Sequence, residues 1–162
     1  MEIGRSQSST QSLSSTIRDY VYENGRRYHR YAEGKYISPN DELEQDRLDL
    51  AHYLSLLVLN GNLFTAPLPP DPHHILDCGT GTGIWAFDIA DKFKSARVVG
   101  VDLSPIQPPW VPPNCVFEVD DLSVDWSYPM VTATSRSRSL PPAARRNLTR
   151  VRAGPLRLHP LP

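Results

Sequence analysis

The stretch HHILDCGTGTGIWAFDIA, residues 73–90, decides the fold. A short apolar run, His73–Cys78, carries Asp77 near its end. Three glycines then alternate with two threonines, Gly79-Thr80-Gly81-Thr82-Gly83, and an amphipathic run opens at Ile84 with Trp85, Ile89 and Phe93 on one face. The period changes from that of a buried strand to that of a helix across a glycine-rich turn, which lets a ligand approach the backbone and the helix start. ARVVGVD, residues 96–102, is β-branched without polar alternation, as a strand buried on both faces requires. NCVFEVDD, residues 114–121, reads as a third strand. Strand, helix and strand within about 30 residues predict a parallel α/β sheet. The segment from Leu103 to Asn114 holds five prolines, so an extended or turn-rich crossover replaces a helix there.

The spacing narrows the ligand. A P-loop places Lys-Ser/Thr after its last glycine, and Ile84-Trp85 stand there instead. The dinucleotide fingerprint is G-x-G-x-x-G, and here the third glycine comes one position early, which disfavours a nucleotide-dependent oxidoreductase. Asp77 is awkward beside a pyrophosphate but suits a ligand carrying an ammonium and a sulfonium. Asp102 ends the second strand, where a carboxylate can accept both hydroxyls of a ribose, and Asp121 closes the third, where it can meet an adenine amine. One acid at each of three strand ends points to S-adenosylmethionine. Asp77 or Asp121 taken alone reads as a loop cap or turn residue.

ILDCGTGTGIWAFDIA, VVGVDLSPIQPPWVPPN and FEVDDLSVDWSYP together resemble the class I S-adenosylmethionine-dependent methyltransferases. More narrowly, they resemble the fungal LaeA-like methyltransferase-domain family, whose N-terminal segment is similar to YENGRRYHRYAEGKYISPNDELEQDRLDLAHYL. The likeness runs from about Ile17 to Tyr128. It implies a Rossmann-like α/β fold and S-adenosyl-L-methionine as cofactor. It puts Asp77, Gly79, Thr80, Gly81 and Gly83 on the methionine side, Asp102 with Leu103 at the ribose, and Asp121 with Leu122 at the adenine. The family continues past residue 130 into a fourth strand and the substrate half of the sheet. This chain instead runs into an Arg/Pro-rich tail, so only the N-terminal, cofactor-binding half of the fold is expected and the chain as it stands is expected to be inactive. No catalytic residue and no metal ligand is assigned, and the methyl acceptor is open.

The remaining segments divide the chain. Residues 1–15 are Ser/Gln/Thr-rich and are expected to be disordered. Residues 16–65 are expected to be helical. Ile17, Tyr20 and Val21 suggest a short helix stopped by Asn24-Gly25. A long helix follows Ser38 or Asn40 as cap, with Leu43, Leu50, Leu54, Leu57 and Val58 at helical spacing and Asn60-Gly61 at its end. Residues 73–130 form the partial cofactor-binding domain. The Tyr/Arg-rich stretch 26–36 is read as cover for a core edge rather than as a nucleic-acid platform. His52 is read as a packing residue and His73-His74 as strand-edge residues.

The net charge of −1 hides an asymmetry: residues 1–130 carry 10 Lys+Arg against 18 acids, residues 131–162 seven Arg and no acid. The tail is expected to be disordered, with a composition that out-of-frame translation of G/C-rich codons would give. With nothing strand-like after residue 130, the first strand's free edge is expected to be exposed and to call for a protein partner. Two cysteines, Cys78 and Cys115, in apolar runs predict buried thiols. The polar N-terminus shows no signal peptide, and an intracellular location, cytoplasmic or nuclear, with no membrane is expected.

Overall fold

The computed structural model describes residues 20–30 and 38–122, together with the backbone of 133–136. Two strands open the described chain: β1, Tyr20–Glu23, and β2, Arg26–His29. They pair antiparallel, Tyr20 opposite His29 and Glu23 opposite Arg26. The helix expected here is therefore a hairpin. Asn24 and Gly25 take φ of 50° and 76°, the left-handed pair that a two-residue hairpin turn demands. The flanking Tyr-Val-Tyr is aromatic and β-branched, which favours strand over helix.

Helix α1, Glu42–Val58, is capped by Asp41, whose side chain accepts from the Glu44 amide at 3.0 Å. Asp41, not Asn40 or Ser38, is the cap, and Glu42 and Glu44 sit where the helix dipole favours acids. Asn60 and Gly61 follow at φ of 52° and 79°, as the Asn-Gly ending predicts. The leucine spacing does form a helix, yet Leu43, Leu50, Leu54, Leu57 and Val58 are all exposed. The helix is held through its other side, described below.

The sheet is built from β3 (His74–Cys78), β4 (Arg97–Asp102), β5 (Cys115–Val119) and β6 (Ala133–Arg136), in the order β5-β4-β3-β6. Every pairing is parallel. Helix α2, Ile84–Lys92, connects β3 to β4, so the α/β unit read from residues 73–102 is present. The proline-rich link from β4 to β5 contains no helix, also as expected.

The edge expectation is corrected. Ala133–Arg136 pairs along β3 from Ile75 to Cys78, so the first strand of the sheet lies inside it. Four residues are too few to show an alternating pattern, and pairing with a buried neighbour decides such a segment more than its own propensity does. The remaining tail calls, and the disorder expected for residues 1–15, lie outside the described residues.

One face of the sheet packs on α2. Ile75, Val98 and Cys115 stand in one cross-strand row and meet Ala86, Ile89 and Ala90 of the helix, all at most 2% exposed. The next row on that face is Asp77, Gly100 and Phe117. Here the missing side chain matters. A Cβ on Gly100 would lie 2.5 Å from the Phe117 ring, and one on Gly83 2.4 Å from it. The two glycines make room for Phe117 between the start of α2 and the sheet. Asn114 ties the far end of the helix down: its side-chain amide lies 3.0–3.1 Å from the carbonyls of Ala90, Phe93 and Ala96. Both cysteines are buried and free, and burial pushes the Cys78 thiol up to about 12 and that of Cys115 up to about 11. They stay protonated at neutral pH, as inert core thiols do.

Candidate functional site

The glycine loop leaves the carboxyl end of β3 and is pinned to β4. The amides of Gly79 and Thr80 both donate to the Val101 carbonyl, at 2.8 and 3.0 Å. Gly79, Gly81 and Gly83 all take positive φ, a path that L side chains resist. Asp77, 3% exposed, accepts from the Thr80 hydroxyl at 2.7 Å. Asp102 accepts from the Gly81 amide at 2.8 Å and from the Ser104 amide at 3.0 Å. Burial pushes the Asp102 carboxyl up, and the amides of Ser104 and Gly81, which favour its charged form, pull the other way. Gln107 closes the stitch, donating to the carbonyls of Gly81 and Ser104 at 2.6 and 3.0 Å.

Helix α1 lies across this loop. Thr82 donates to Asp49 at 2.6 Å, the His52 ring N–H donates to Asp88 at 2.8 Å, and Leu48 packs over Gly81. These polar bonds, not a leucine stripe, hold the helix. Its N-terminus is fixed by the hairpin. Arg26 grips Asp41 with two nitrogens at 2.6 and 3.0 Å, and Arg27 Nε donates to the Asn40 side chain at 3.0 Å. Asn40 is buried and reaches Ser104 at 3.5 Å, which links the hairpin to the loop after β4. The Arg26 guanidinium beside Asp41 holds that carboxyl well below the usual carboxylate range.

Between the helix, the glycine loop and the ends of β3 and β4 lies a cleft of about 720 Å³, within the size range of small-ligand sites. Of the residues singled out in the sequence, Asp77, Gly79, Thr80, Gly81 and Asp102 line it together. Gly83, Leu103, Asp121 and Leu122 do not. Gly83 serves the packing on Phe117, Leu122 is buried, and Asp121 follows the end of β5 at the same edge of the sheet. The Asp120 amide donates to the Asp102 carbonyl at 3.2 Å, which brings that segment alongside β4.

The cleft also takes Thr82 of the glycine motif, and Asn40, Arg47, Leu48, His52 and Ser104, which that motif does not reveal. A signal existed: Arg47, Leu48, Ala51, His52 and Ser55 share a helix side at i, i+1, i+4, i+5 and i+8, opposite part of the more conspicuous leucine series. His52 is satisfied by Asp88, as a packing histidine should be. Among the described residues no group of three or more His, Cys, Asp or Glu is arranged to hold a metal ion.

Comparison with known proteins agrees with this geometry. Residues 75–115 match a family model described as a methyltransferase domain. Over 120 residues the chain is 56% identical to methyltransferase pytC of Aspergillus terreus, covering 74% of this chain and 37% of that protein. It is 48% identical over 109 residues to the secondary metabolism regulator LAE1 of Cochliobolus heterostrophus, covering 65% and 36% of the two chains. Over the aligned residues the chain is similar to the LaeA-like methyltransferases. A further LaeA-like relative, the protein-methionine methyltransferase laeA of Emericella nidulans, is 45% identical over 118 residues, covering 72% of this chain and 31% of that one. The chain thus aligns with only about a third of the length of these relatives. Methyltransferases of this LaeA-like group imply S-adenosylmethionine as the methyl donor. No helix among the described residues is long and apolar enough to cross a membrane.

Proposed function

We propose that the cleft is an S-adenosyl-L-methionine site and that this chain carries the cofactor-binding half of a methyltransferase. One observation carries the reading: Asp77 and Asp102, at the ends of adjacent parallel strands, line a single cleft with the glycine loop between them. The residues fit the group. The Asp77 carboxylate suits a ligand with positive centres at its methionine end, and the loop presents backbone rather than side chains to it. Asp102 already accepts from the amides of Gly81, Ser104 and Leu103, and a carboxylate has about four acceptor positions, so it keeps acceptor capacity for a ribose hydroxyl. Asp77 and the Gly79–Gly83 loop take the methionine end, and Asp121 with Leu122, just beyond the cleft at the same sheet edge, lie toward the adenine.

The cofactor, when bound, supplies a methyl group activated by a sulfonium. The chain's own residues bind and orient. Asp102 fixes the ribose, Thr80 holds the Asp77 carboxylate in place, and α1, bonded through Asp49 and His52, covers the loop and limits water. No general base is assigned, and the methyl acceptor stays open.

Ligand-induced thermal shift tests the reading, because a ligand that binds only the folded form raises apparent stability. S-adenosylhomocysteine is expected to raise the midpoint and NAD to leave it unmoved. A shift with NAD alone, or with neither, overturns it.

A further inference from the structure

We propose that Arg47 anchors the α-carboxylate of the cofactor's amino-acid part; the inference rests on the cofactor reading above. The proposed ligand carries two positive centres and one negative one. Acids in the cleft answer the first two, and the carboxylate requires a cation. Among the described residues that line the cleft, Arg47 is the sole Lys or Arg. His52 also lines it, but its ring is bonded to Asp88 and its side chain is only 9% exposed.

Arg47 is well placed to turn. Arg47 and Leu48 both line the cleft, and Leu48 packs over Gly81 on its glycine-loop side. Its guanidinium is paired with Glu44 through two nitrogens, at 2.9 and 2.6 Å, in the planar two-point geometry that a ligand carboxylate would also offer. Its side chain is 60% exposed. Glu44, which is buried, keeps a cation when Arg47 moves, since Arg26 lies 3.9 Å away. The Glu44–Arg47 pair therefore stands in for the carboxylate–Arg47 pair of the bound state, and Arg26, which grips Asp41, remains 3.9 Å from Glu44.

Two probes separate the amino-acid part from the rest of the ligand. S-adenosylhomocysteine carries the carboxylate; 5′-methylthioadenosine has the same adenosine and thioether but no amino acid. Titration calorimetry on the full chain is expected to show the first binding more tightly than the second. Arg47→Met should weaken S-adenosylhomocysteine about tenfold or more and leave methylthioadenosine unchanged, which also shows that the variant is folded. Arg47→Lys should fall between. If Arg47→Met keeps the wild-type affinity for S-adenosylhomocysteine, or loses both ligands together, the assignment is overturned while the cofactor reading stands. If the wild-type chain binds neither ligand, the cofactor reading fails and the assignment with it.

Discussion

Asp102 works against the fold and for the ligand. Its carboxyl is buried and raised above the usual range, so the folded state holds its proton more tightly than the unfolded chain does. The sign follows: burying the charge costs stability at neutral pH, and that cost is relieved as pH falls through the raised value toward the ordinary carboxylate range. Ligand binding has the opposite dependence, because the charged form is the one that accepts hydroxyls. Affinity for S-adenosylhomocysteine is expected to fall on acidification, beginning above the pH at which an ordinary aspartate titrates. Asp102→Asn should weaken it about tenfold to a hundredfold, the worth of hydrogen bonds to a charged group. Titrations across pH 5–8 on both proteins check this; an affinity that is flat with pH, or unchanged in the variant, contradicts it. Asp77 and Asp102 were legible in the sequence because a strand end beside a glycine turn leaves few other places for an acid to point. Arg47 and Asn40 were harder to read: the helix side that Arg47 shares with Leu48, Ala51, His52 and Ser55 is visible in the sequence, but how α1 lies across the loop is not.

At the scale of elements, polar bonds do what apolar burial usually does. Helix α1 is fixed by Arg26–Asp41, Thr82–Asp49 and His52–Asp88 while Leu43, Leu50, Leu54 and Leu57 stay exposed. Leu57, 74% exposed, is expected to tolerate Leu57→Glu with a stability change of less than about 0.5 kcal/mol and with reduced self-association. Denaturant titration and light scattering measure both, and a large loss of stability would show that the face is buried. Helix α2 depends on its C-terminal tie. Asn114→Ala leaves the carbonyls of Ala90, Phe93 and Ala96 without that donor and is expected to cost about 1–3 kcal/mol in the same titration. The hairpin shows how an element is misread. Asn24-Gly25 is a turn signal in either reading, and only the aromatic and β-branched character of Tyr20–Tyr22 separates two strands from the end of a helix.

For the whole molecule, the sheet order β5-β4-β3-β6 puts β3 inside and makes β6 part of the fold. The α/β class was legible from residues 73–121, where the hydrophobic period, the glycine turn and the β-branched runs all agree. The place of β6 was not, because its pairing with β3 spans more than fifty residues of sequence and its own four residues carry no period. A chain ending at residue 130 would bare the β3 edge. It is expected to melt at a lower temperature than the full chain and to aggregate more readily, as an unpaired edge invites. Equal melting temperatures and equal scattering would show that β6 contributes nothing.

The central claim is that two acids at neighbouring strand ends, with a glycine loop between them, form a receptor for a sulfonium-bearing nucleoside. Its most direct test is calorimetric titration of S-adenosylmethionine into the wild-type chain and into Asp77→Asn. The account predicts one binding site per chain in the wild type and an affinity at least about tenfold weaker in the variant, from loss of the charged partner. Equal affinity in the two proteins would contradict it.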